Sequence, residues 1–380
     1  MKLLLVTQDF PPHVGGIQTW SHELARRFAS SCRDFAVVAP DVPGSAEVDR
    51  ELPFTVHRVR GTSNTVPLAA VPTLIAAGRK RRFDTVLHAQ WQTMVASTTA
   101  AEFGGPQRIF AAAHGRELLF APLSKLRAAQ RKYDRLRERM LRRANRVFPV
   151  SHYTAGLVEQ LGVSPERITV VGNGTDPQRF VPMDVSALRS ERGLADRRVV
   201  MTVGRLDPRK GIDTVIMALP AVIERVPEAI YLIVGRGPDR ARLEALVQEH
   251  GVADHVRFEE HVPEDQLVAT FNLCDVFVTA SRHEPPNVEG FGIVFLEANA
   301  CGKPVIGARS GGIPDAVVEG ETGLLVEPGS PEQLAEALCD LLGDPARCEA
   351  LGAAGRARVE GSFTWDVAHA RLLASMQQSG

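Results

Sequence analysis

Two glutamates lie eight residues apart in a glycine-rich stretch, EPPNVEGFGIVFLEANACGKPVI, at residues 284–306. Glu289 precedes a predicted helix, and Glu297 lies more than one turn inside it. A carboxylate accepts two hydrogen bonds from a vicinal diol, so the two acids predict recognition of the hydroxyls of a ribose or a hexose. The amino terminus of the same helix is a candidate anion site, because its first amides have no partner inside the helix. The residues at this amino terminus are Gly292, Ile293 and Val294.

A basic loop, VGRLDPRKGID, follows a predicted strand in the same half of the chain. It places Arg205 at the end of the strand and Lys210 at the start of a helix. The planar fork of an arginine and the mobile charge of a lysine together suit the diphosphate of a departing nucleotide. A solvated basic loop is the alternative, but the position after a strand favours binding. The five cysteines form no CxxC pair and have no histidine spacing typical of zinc ligands, so we expect no metal site and no cofactor.

Two further motifs follow strands predicted in the first half of the chain. The first strand ends in TQDFPPHVGGIQTW, where Gly15 and Gly16 precede a helix. Backbone amides that no side chain covers bind phosphate at the amino terminus of a helix, although glycines also occur in ordinary tight turns. A later strand, RIFAAAH, ends in HGRE and sets His114 and Glu117 at the mouth of the sheet. His114 would hold a hydroxyl or transfer a proton, and His88, in DTVLHAQ, competes for that role.

Short apolar runs alternate with amphipathic segments along the whole chain. The runs are KLLLVTQ, FAVVAP, DTVLHAQ, RIFAAAH, RVFPVS and ITVVGN, then RVVMTVGR, AIYLIVGRG, VRFEEHV, VFVTAS, PVIGAR and GLLVEP. This alternation predicts an α/β protein with two doubly wound domains, each built on a parallel sheet. Ligands of such sheets bind beyond the carboxyl ends of the strands, so the domains are expected to face each other across a cleft.

Composition narrows the class of protein. A chain of 380 residues with 44% hydrophobic residues is long enough for two domains with separate cores. No apolar run has the length of a signal peptide or a membrane span, so we expect a cytoplasmic protein. Residues 1–180 hold 25 Lys and Arg against 15 Asp and Glu, whereas residues 181–380 hold 19 against 30. Either the first half faces an anionic partner, or the opposite charges attract one domain to the other.

One amphipathic segment carries much of the positive charge of the first half. Apolar and small residues recur every three or four positions, which predicts a helix over residues 123–147. Between residues 125 and 146 it holds ten Lys and Arg against two acids. Such a face lies against anionic lipid headgroups, on the inner side of the plasma membrane, or is simply solvated. Nucleic acid is not an expected partner, because Tyr133 is the only aromatic residue there for stacking.

In this order, the motifs resemble those of the retaining glycosyltransferases of family 4, which have the two-domain GT-B fold. The most specific stretch is VEGFGIVFLEANACGKPVI, supported by GGIQ, HGRE, VSHYTAGLV, NGTDPQRF and VGRLDPRKGID. Within the family, DFPPHVGGIQ and NVEGFGIVFLEA look most like bacterial mannosyltransferases that use GDP-mannose to build phosphatidylinositol mannosides. A departure is SRHEPPNVEG, which is longer and richer in proline than in many members and would reshape the sugar or acceptor pocket.

The resemblance implies that the two domains bind different substrates. Residues 1–180 would form an acceptor-binding domain and residues 181–362 a nucleotide-sugar-binding domain, with a final helix at 363–380 packing on the first domain. The implied reaction is a retaining, metal-independent transfer of a hexose, mannose from GDP-mannose, to a lipid-linked acceptor. Two alternatives stay open, namely a UDP-sugar-dependent enzyme with a soluble acceptor and a catalytically silent nucleotide-sugar-binding protein.

The resemblance also implies roles for single residues. The predicted catalytic residues are His114, Glu289, Arg205 and Lys210, with His114 contacting the sugar near its reacting carbon. Gly16, Arg205 and Lys210 would contact the diphosphate, beside Gly15. Glu297 would bind the ribose, and Glu289 with the backbone of 292–294 would bind the sugar. The nucleobase would be lined by Gly235, Arg236, Gly237, His261 and Val262. In this family the acceptor hydroxyl is drawn as attacking beside the leaving phosphate, so no enzyme nucleophile is needed.

Overall fold

The computed structural model describes residues 1–80, 82–122, 125–260 and 262–378. The chain forms two compact units, one of Met1–Asn173 with the residues from Trp365 onward, and one of Gly174–Thr364. The domain boundary expected after residue 180 therefore falls inside the second unit. Phe180 explains the difference, because its ring packs edge-on against that of Phe271, with 5.7 Å between centroids.

Six parallel strands form the sheet of the first unit, in the order β3-β2-β1-β4-β5-β6. They are β1 (Lys2–Val6), β2 (Asp34–Pro40), β3 (Thr55–Val59), β4 (Thr85–His88), β5 (Arg108–Ala113) and β6 (Arg146–Pro149). Most of their residues are buried, as expected for strands covered on both faces. The strand order reverses between β1 and β4, so the carboxyl ends of these two neighbours form the expected ligand edge.

Between residues 1 and 173, the described part of this unit contains eight α-helices. They are α1 (Gly16–Ser31), α2 (Ser45–Arg50), α3 (Val66–Ala69), α4 (Val71–Arg79), α5 (Met94–Ala101), α6 (Arg116–Leu119), α7 (Arg127–Arg143) and α8 (His152–Gln160). No helix in the described ranges combines the length and the hydropathy that crossing a bilayer requires.

The second unit repeats the architecture, with strand order β12-β11-β10-β7-β8-β9. Its strands are β7 (Arg198–Val203), β8 (Ala229–Val234), β9 (Val256–Glu259), β10 (Val276–Thr279), β11 (Val305–Ala308) and β12 (Gly323–Val326). Its helices are α9 (Ser186–Glu191), α10 (Ile212–Arg225), α11 (Arg240–Glu249), α12 (Leu267–Leu273), α13 (Ile293–Ala300), α14 (Ile313–Ala316), α15 (Pro331–Leu342) and α16 (Pro345–Ser362). The strand order reverses between β7 and β10. The prediction of two doubly wound parallel sheets is thus confirmed.

The carboxyl-terminal helix, α17 (Trp365–Gln378), belongs to the first unit. It lies against α1, where Arg27 Nε contacts Asp366 Oδ1 at 2.7 Å. The ring of His369 packs edge-on against Phe28, with 4.8 Å between centroids. These two contacts, together with the hydrogen bond between Ser31 Oγ and His369 Nε2 at 2.8 Å, fix the last helix to the first.

Three elements differ from the sequence-based expectation. The run ITVVGN at 168–173 forms only one bridge, from Ile168 to Val147, instead of a strand. The edge strand β3 was not predicted, because its half-exposed residues lack the apolar run of a buried strand. The basic helix expected over 123–147 ends at Arg143, because Ala144 adopts an extended conformation that leads the chain into β6. Residues 123 and 124 lie outside the described ranges.

Candidate functional site

The carboxyl ends of β7 and β10 bring a basic loop and an acidic loop together. Lys210 Nζ donates to Glu289 Oε2 at 2.5 Å, and Arg209 Nη1 donates to the same oxygen at 3.1 Å. The side chains of Lys210 and Glu289 are 12% and 15% exposed. Burial raises the pKa of Glu289, but the charges of Lys210 and Arg209 outweigh it and leave that pKa below its usual value. Glu289 is therefore an ionised acid held between two cations.

Two arginines of the basic loop are placed differently, and the predicted diphosphate contact of Arg205 stays a prediction. Arg205 is exposed in the loop after β7, and no ion pair joins it to Glu289 within the described residues. Arg209 takes the neighbouring place on Glu289, a position that the sequence reasoning missed. The signal was present in PRKG, where two adjacent cations precede a helix. Spacing alone did not show which arginine turns inward.

The loops after β7 and β8 approach each other so closely that only glycine fits at two positions. A Cβ on Gly235 would lie 1.9 Å from the carbonyl oxygen of Gly204. A Cβ on Gly237 would lie 2.0 Å from that of Leu206. Arg236, between them, keeps its side chain exposed. The glycines therefore shape this edge of the sheet by their lack of a side chain.

Two other residues predicted to contact the nucleobase follow β9. Val262 lies half-buried beyond the end of that strand. His261 lies outside the described residues, so its predicted contact stays a prediction.

The amino terminus of α13 lies beside the acidic loop. Gly292 precedes the helix in the left-handed region, at φ 93°, and Ile293 and Val294 form its first turn, half-buried. A Cβ on Gly292 would lie 3.8 Å from Glu289 Cγ, so the helix start and the Glu289 side chain are neighbours. The first amides of α13 and the carboxylate of Glu289 thus offer hydrogen-bond donors and an acceptor side by side.

Glu297 lies one turn further along α13 and is mostly buried. Burial raises the pKa of its carboxyl group to about 7; the charge of Arg179 opposes this and that of Glu264 adds to it. Near neutral pH the ligand-free protein therefore holds Glu297 partly protonated. A diol that donates hydrogen bonds to the carboxylate would favour its ionised form.

We expect Glu297→Gln to stabilise the ligand-free protein at pH 8. The folded pKa of about 7 exceeds the ordinary value of 4.5, so the folded state binds more protons than the unfolded chain between these values. Stability therefore falls as the pH rises through that window, and the loss persists above it, at up to about 3 kcal/mol. Glutamine removes this cost but accepts fewer hydrogen bonds, so binding of a nucleotide should weaken.

Thermal unfolding of wild type and Glu297→Gln at pH 5 and pH 8 measures this effect. The increase in Tm should be large at pH 8 and small at pH 5. Glu336→Gln, on the exposed face of α15, is the matched control and should behave alike at both values. An equal increase for Glu297→Gln at both pH values would contradict the proposed protonation of Glu297.

In the first unit, the carboxyl ends of β1 and β4 meet at Asp9. Its two carboxylate oxygens accept from Gln18 Nε2 at 3.0 Å and from Gln90 Nε2 at 2.5 Å. Gln18 belongs to α1 and Gln90 follows β4, so the acid joins three segments of chain. Burial raises the pKa of Asp9, and the hydrogen bond from Gln90 opposes that rise. Sequence reasoning missed this acid because its partners are distant in sequence.

His114 lies behind this network, after β5. Its Nε2 is 3.0 Å from the carbonyl oxygen of Ala89. A carbonyl only accepts, so Nε2 carries the proton and Nδ1 carries the lone pair. Burial lowers the pKa of His114 to about 4. Its ring packs edge-on against Trp20, with 5.2 Å between centroids. His114 is therefore a neutral, oriented imidazole.

His88, the competing histidine, is a structural residue. It is fully buried in β4, and its ring nitrogens contact Thr93 Oγ1 and Ser97 Oγ, both at 2.8 Å. Burial lowers its pKa to about 3, so the ring stays neutral. With both nitrogens engaged by hydroxyls, His88 has no site left for a substrate.

Gly15 and Gly16 occupy the start of α1, as the sequence indicated. No side chain caps this helix, and a Cβ on Gly16 would meet no atom within 4 Å. Packing therefore does not require a glycine at residue 16. The open space beside uncapped amides is consistent with the predicted phosphate contact, which stays a prediction.

A polar cavity of about 240 Å³ opens beside these residues. Asp9, Gln90 and Glu117 line it, with Arg116 and Phe120 also in its wall. Glu117 is 8% exposed; its Oε1 accepts from the His114 amide at 2.6 Å, while its Oε2 has no hydrogen-bond partner among the described residues. Burial raises the pKa of this carboxyl group. The cavity therefore presents hydrogen-bond acceptors that suit a ligand rich in hydroxyls.

Comparison with known proteins places the chain in a family. The family model described as "Glycosyltransferase Family 4" matches residues 14–179, and "Glycosyl transferases group 1" matches residues 185–358. A relative from Mycolicibacterium smegmatis, "GDP-mannose-dependent alpha-(1-6)-phosphatidylinositol monomannoside mannosyltransferase", is 36% identical over 97% of each chain. The chain belongs to the family 4 glycosyltransferases. The predicted family and enzyme class are thereby confirmed.

A second relative of this glycosyltransferase comes from Corynebacterium glutamicum. It is named "GDP-mannose-dependent monoacylated alpha-(1-6)-phosphatidylinositol monomannoside mannosyltransferase" and is 33% identical over 99% of this chain and 98% of its own. Among solved structures, Anabaena HepE in complex with UDP matches with a TM-score of 0.83 at 21% identity, covering all of both chains. Sucrose-phosphate synthase from Thermosynechococcus elongatus matches with a TM-score of 0.80 at 25% identity, over 99% and 98%. The predicted GT-B class of fold is confirmed by these neighbours.

Proposed function

We propose that this glycosyltransferase transfers mannose from GDP-mannose to a hydroxyl of a phosphatidylinositol mannoside, with retention of configuration. The observation that carries the proposal is identity of 36% and 33%, over nearly full length, to two enzymes named for that reaction. The new bond joins the acceptor oxygen to the anomeric carbon, and the bond from that carbon to the diphosphate breaks. The leaving phosphate accepts the proton of the attacking hydroxyl, so the chain supplies no nucleophile.

The second unit supplies the proposed nucleotide-sugar site. Lys210, with Arg205, neutralises the diphosphate as its charge develops. Glu289 and the first turn of α13 bind the sugar, while Glu297 accepts hydrogen bonds from the ribose. This assignment is supported by the contact of Lys210 with Glu289 at 2.5 Å and by the neighbouring helix start.

The first unit supplies the proposed acceptor site. The acceptor-rich cavity beside Asp9 and Glu117 suits the hydroxyls of an inositol or mannose headgroup, because Glu117 Oε2, which has no partner among the described residues, gains a hydrogen bond there. His114 lies within the same unit as a neutral imidazole with a free lone pair. It is proposed as a catalytic residue.

A thermal-shift titration with GDP, UDP and ADP tests the nucleotide assignment. A ligand that binds only the folded state raises Tm according to its affinity. Selective stabilisation by GDP supports the proposal, and a transfer assay with GDP-mannose and a phosphatidylinositol mannoside then tests the acceptor. Selectivity for UDP would refute GDP-mannose as the substrate, and stabilisation by none of the three would refute the nucleotide-sugar site.

Chelation is expected to leave the transfer rate unchanged. The proposed charge partner of the diphosphate is Lys210 with Arg205, so no divalent cation is required. The measurement compares initial rates with and without EDTA at saturating GDP-mannose. A loss of turnover that added Mg²⁺ or Mn²⁺ restores would contradict the proposed clamp.

We also propose that α7 docks the enzyme on an anionic membrane. Its exposed face carries basic residues, namely Arg127, Arg131, Lys132, Arg135, Arg139, Arg142 and Arg143. Two leucines are exposed beside them, Leu126 at 63% and Leu136 at 39%. A cationic face with exposed apolar side chains suits anionic headgroups at a bilayer surface.

Arg131→Glu/Arg135→Glu is expected to reduce binding to phosphatidylglycerol vesicles by at least about tenfold, since each basic residue near the surface contributes about 1 kcal/mol. Vesicle sedimentation at low and high salt measures it. The matched control, Arg26→Glu/Arg50→Glu, makes the same change in net charge at exposed positions of other helices and should bind as the wild type does. If both variants lost vesicle binding equally, binding would depend on net charge alone, and the proposed role of α7 would be wrong.

A further inference from the structure

Four charged side chains of the second unit form a network outside the proposed nucleotide-sugar contacts, in which two aspartates are buried and Arg242 is 48% exposed. Asp213 is at its centre, with a side chain only 7% exposed. Arg282 Nη2 contacts Asp213 Oδ1 at 2.8 Å, and Arg242 Nη2 contacts Asp213 Oδ2 at 3.0 Å. Arg242 also makes a two-pronged contact with Asp239, at 2.6 and 2.7 Å. A buried carboxylate shared by two guanidinium groups is costly to disturb, because removal of one partner leaves charge uncompensated.

The members of this network come from three separate loops. Asp213 begins α10, just after Lys210. Asp239 precedes α11, just after the loop of Gly235 and Gly237. Arg282 follows β10 and leads to Glu289. Three loops with proposed nucleotide-sugar contacts are therefore tied to one buried carboxylate, the loop of Gly235 and Gly237 through Arg242.

Arg282 adds backbone contacts that bring two of the loops together. Its backbone amide donates to the Arg209 carbonyl at 2.8 Å, and its Nη1 donates to the Pro208 carbonyl at 3.4 Å. Its Nη2 also contacts Thr214 Oγ1 at 3.1 Å. Arg282 therefore contacts residues that precede Lys210 and residues that follow it in the chain.

We propose that Asp213 and Arg282 are positioning residues that hold the loop of Lys210 and the loop of Glu289 in register for the nucleotide sugar. The inference rests on the proposed function, since it concerns the same site. Its physical basis is preorganisation: a site held in its bound geometry spends less binding energy on ordering its loops. This network maintains the relative position of the two loops, which is seen in the contact of Lys210 Nζ with Glu289 Oε2 at 2.5 Å.

A matched control lies elsewhere in the same unit. Arg189 contacts Asp275 at 3.2 Å, and their side chains are 17% and 26% exposed. Asp275 precedes β10, so this pair lies at the amino ends of the strands, away from Lys210 and Glu289. Loss of Arg189 should lower stability without affecting the binding of a nucleotide.

The experiment compares wild type, Arg282→Ala, Arg282→Lys and Arg189→Ala by calorimetric titration with the nucleoside diphosphate that stabilises the wild type most. Arg282→Ala should weaken binding by about tenfold or more and raise KM for the nucleotide sugar more than it lowers kcat. Arg282→Lys should recover only part of the loss, because an ammonium group cannot contact Asp213, Thr214 and Pro208 together. Arg189→Ala should lower Tm and leave affinity within about twofold.

Equal effects of Arg282→Ala and Arg189→Ala on affinity, at similar losses of Tm, would overturn the positioning role and leave a merely structural one. If Arg282→Ala does not fold, Arg282→Lys and Asp213→Asn take its place, and wild-type affinity in both would overturn the inference. Absence of binding by the wild type to GDP, UDP and ADP alike would instead refute the proposed function, and this inference with it.

Discussion

Lys210→Ala is expected to lower kcat/KM for the nucleotide sugar by about 100- to 1000-fold, the loss typical when one preorganised donor to developing negative charge is removed. Two effects combine. The diphosphate loses its buried cation, and among the described residues Glu289 keeps Arg209, at 3.1 Å, as its remaining cationic partner. With less opposing charge, burial should raise the pKa of Glu289, so the variant should also lose activity at a higher pH than the wild type as the solution is acidified.

Steady-state kinetics across pH 5 to 9 measure both parts of this prediction. The control is Lys303→Ala, which removes the other lysine of the second unit, a half-buried residue that precedes β11. Its kinetics should match those of the wild type. A Lys210→Ala enzyme within about threefold of wild-type kcat/KM would exclude Lys210 from the diphosphate site.

His114→Ala is expected to lower kcat by about 100-fold with little change in KM, the range found for loss of one positioned acid or base. The imidazole is neutral because burial holds its pKa near 4, and its Nε2 is bound to the Ala89 carbonyl. Only Nδ1 is then available to the reacting groups. Because that pKa lies far below neutrality, the wild-type rate should show no titration of His114 between pH 6 and 8.

We would measure single-turnover rates for His114→Ala and for a control, His250→Ala. His250 lies at the carboxyl end of α11. The comparison separates a role in the chemical step from a general effect of removing an imidazole ring. His250→Ala should retain the wild-type rate. An unchanged rate in His114→Ala would remove it from the site, and a change confined to KM would make it a binding residue only.

Much of the fold followed from local sequence. Within the described residues, eleven of the twelve strands coincide with predicted apolar runs, and most of these strands are buried on both faces, which requires continuous apolar side chains; β9 is half-exposed. The strand that was not predicted is β3, whose exposed and polar residues reflect its position at the edge of the sheet. The motif residues Lys210, Glu289 and Gly292 were located correctly after their strands, since the carboxyl ends of parallel strands meet at one edge.

The family, the two parallel sheets and the segments that carry the chemistry can be read from the amino-acid sequence, because they depend on hydrophobic period and on motifs. Which side chains meet is visible only in the folded chain. It paired Glu289 with Lys210 and Arg209 and left Arg205 exposed. It buried His88 between two hydroxyls and bound His114 by Nε2, with no hydrogen bond at Nδ1 among the described residues. It also joined Asp213 to Arg282 across 69 positions of sequence. Hydrogen bonds and charge pairs between distant segments depend on three-dimensional distance, and no local pattern records it.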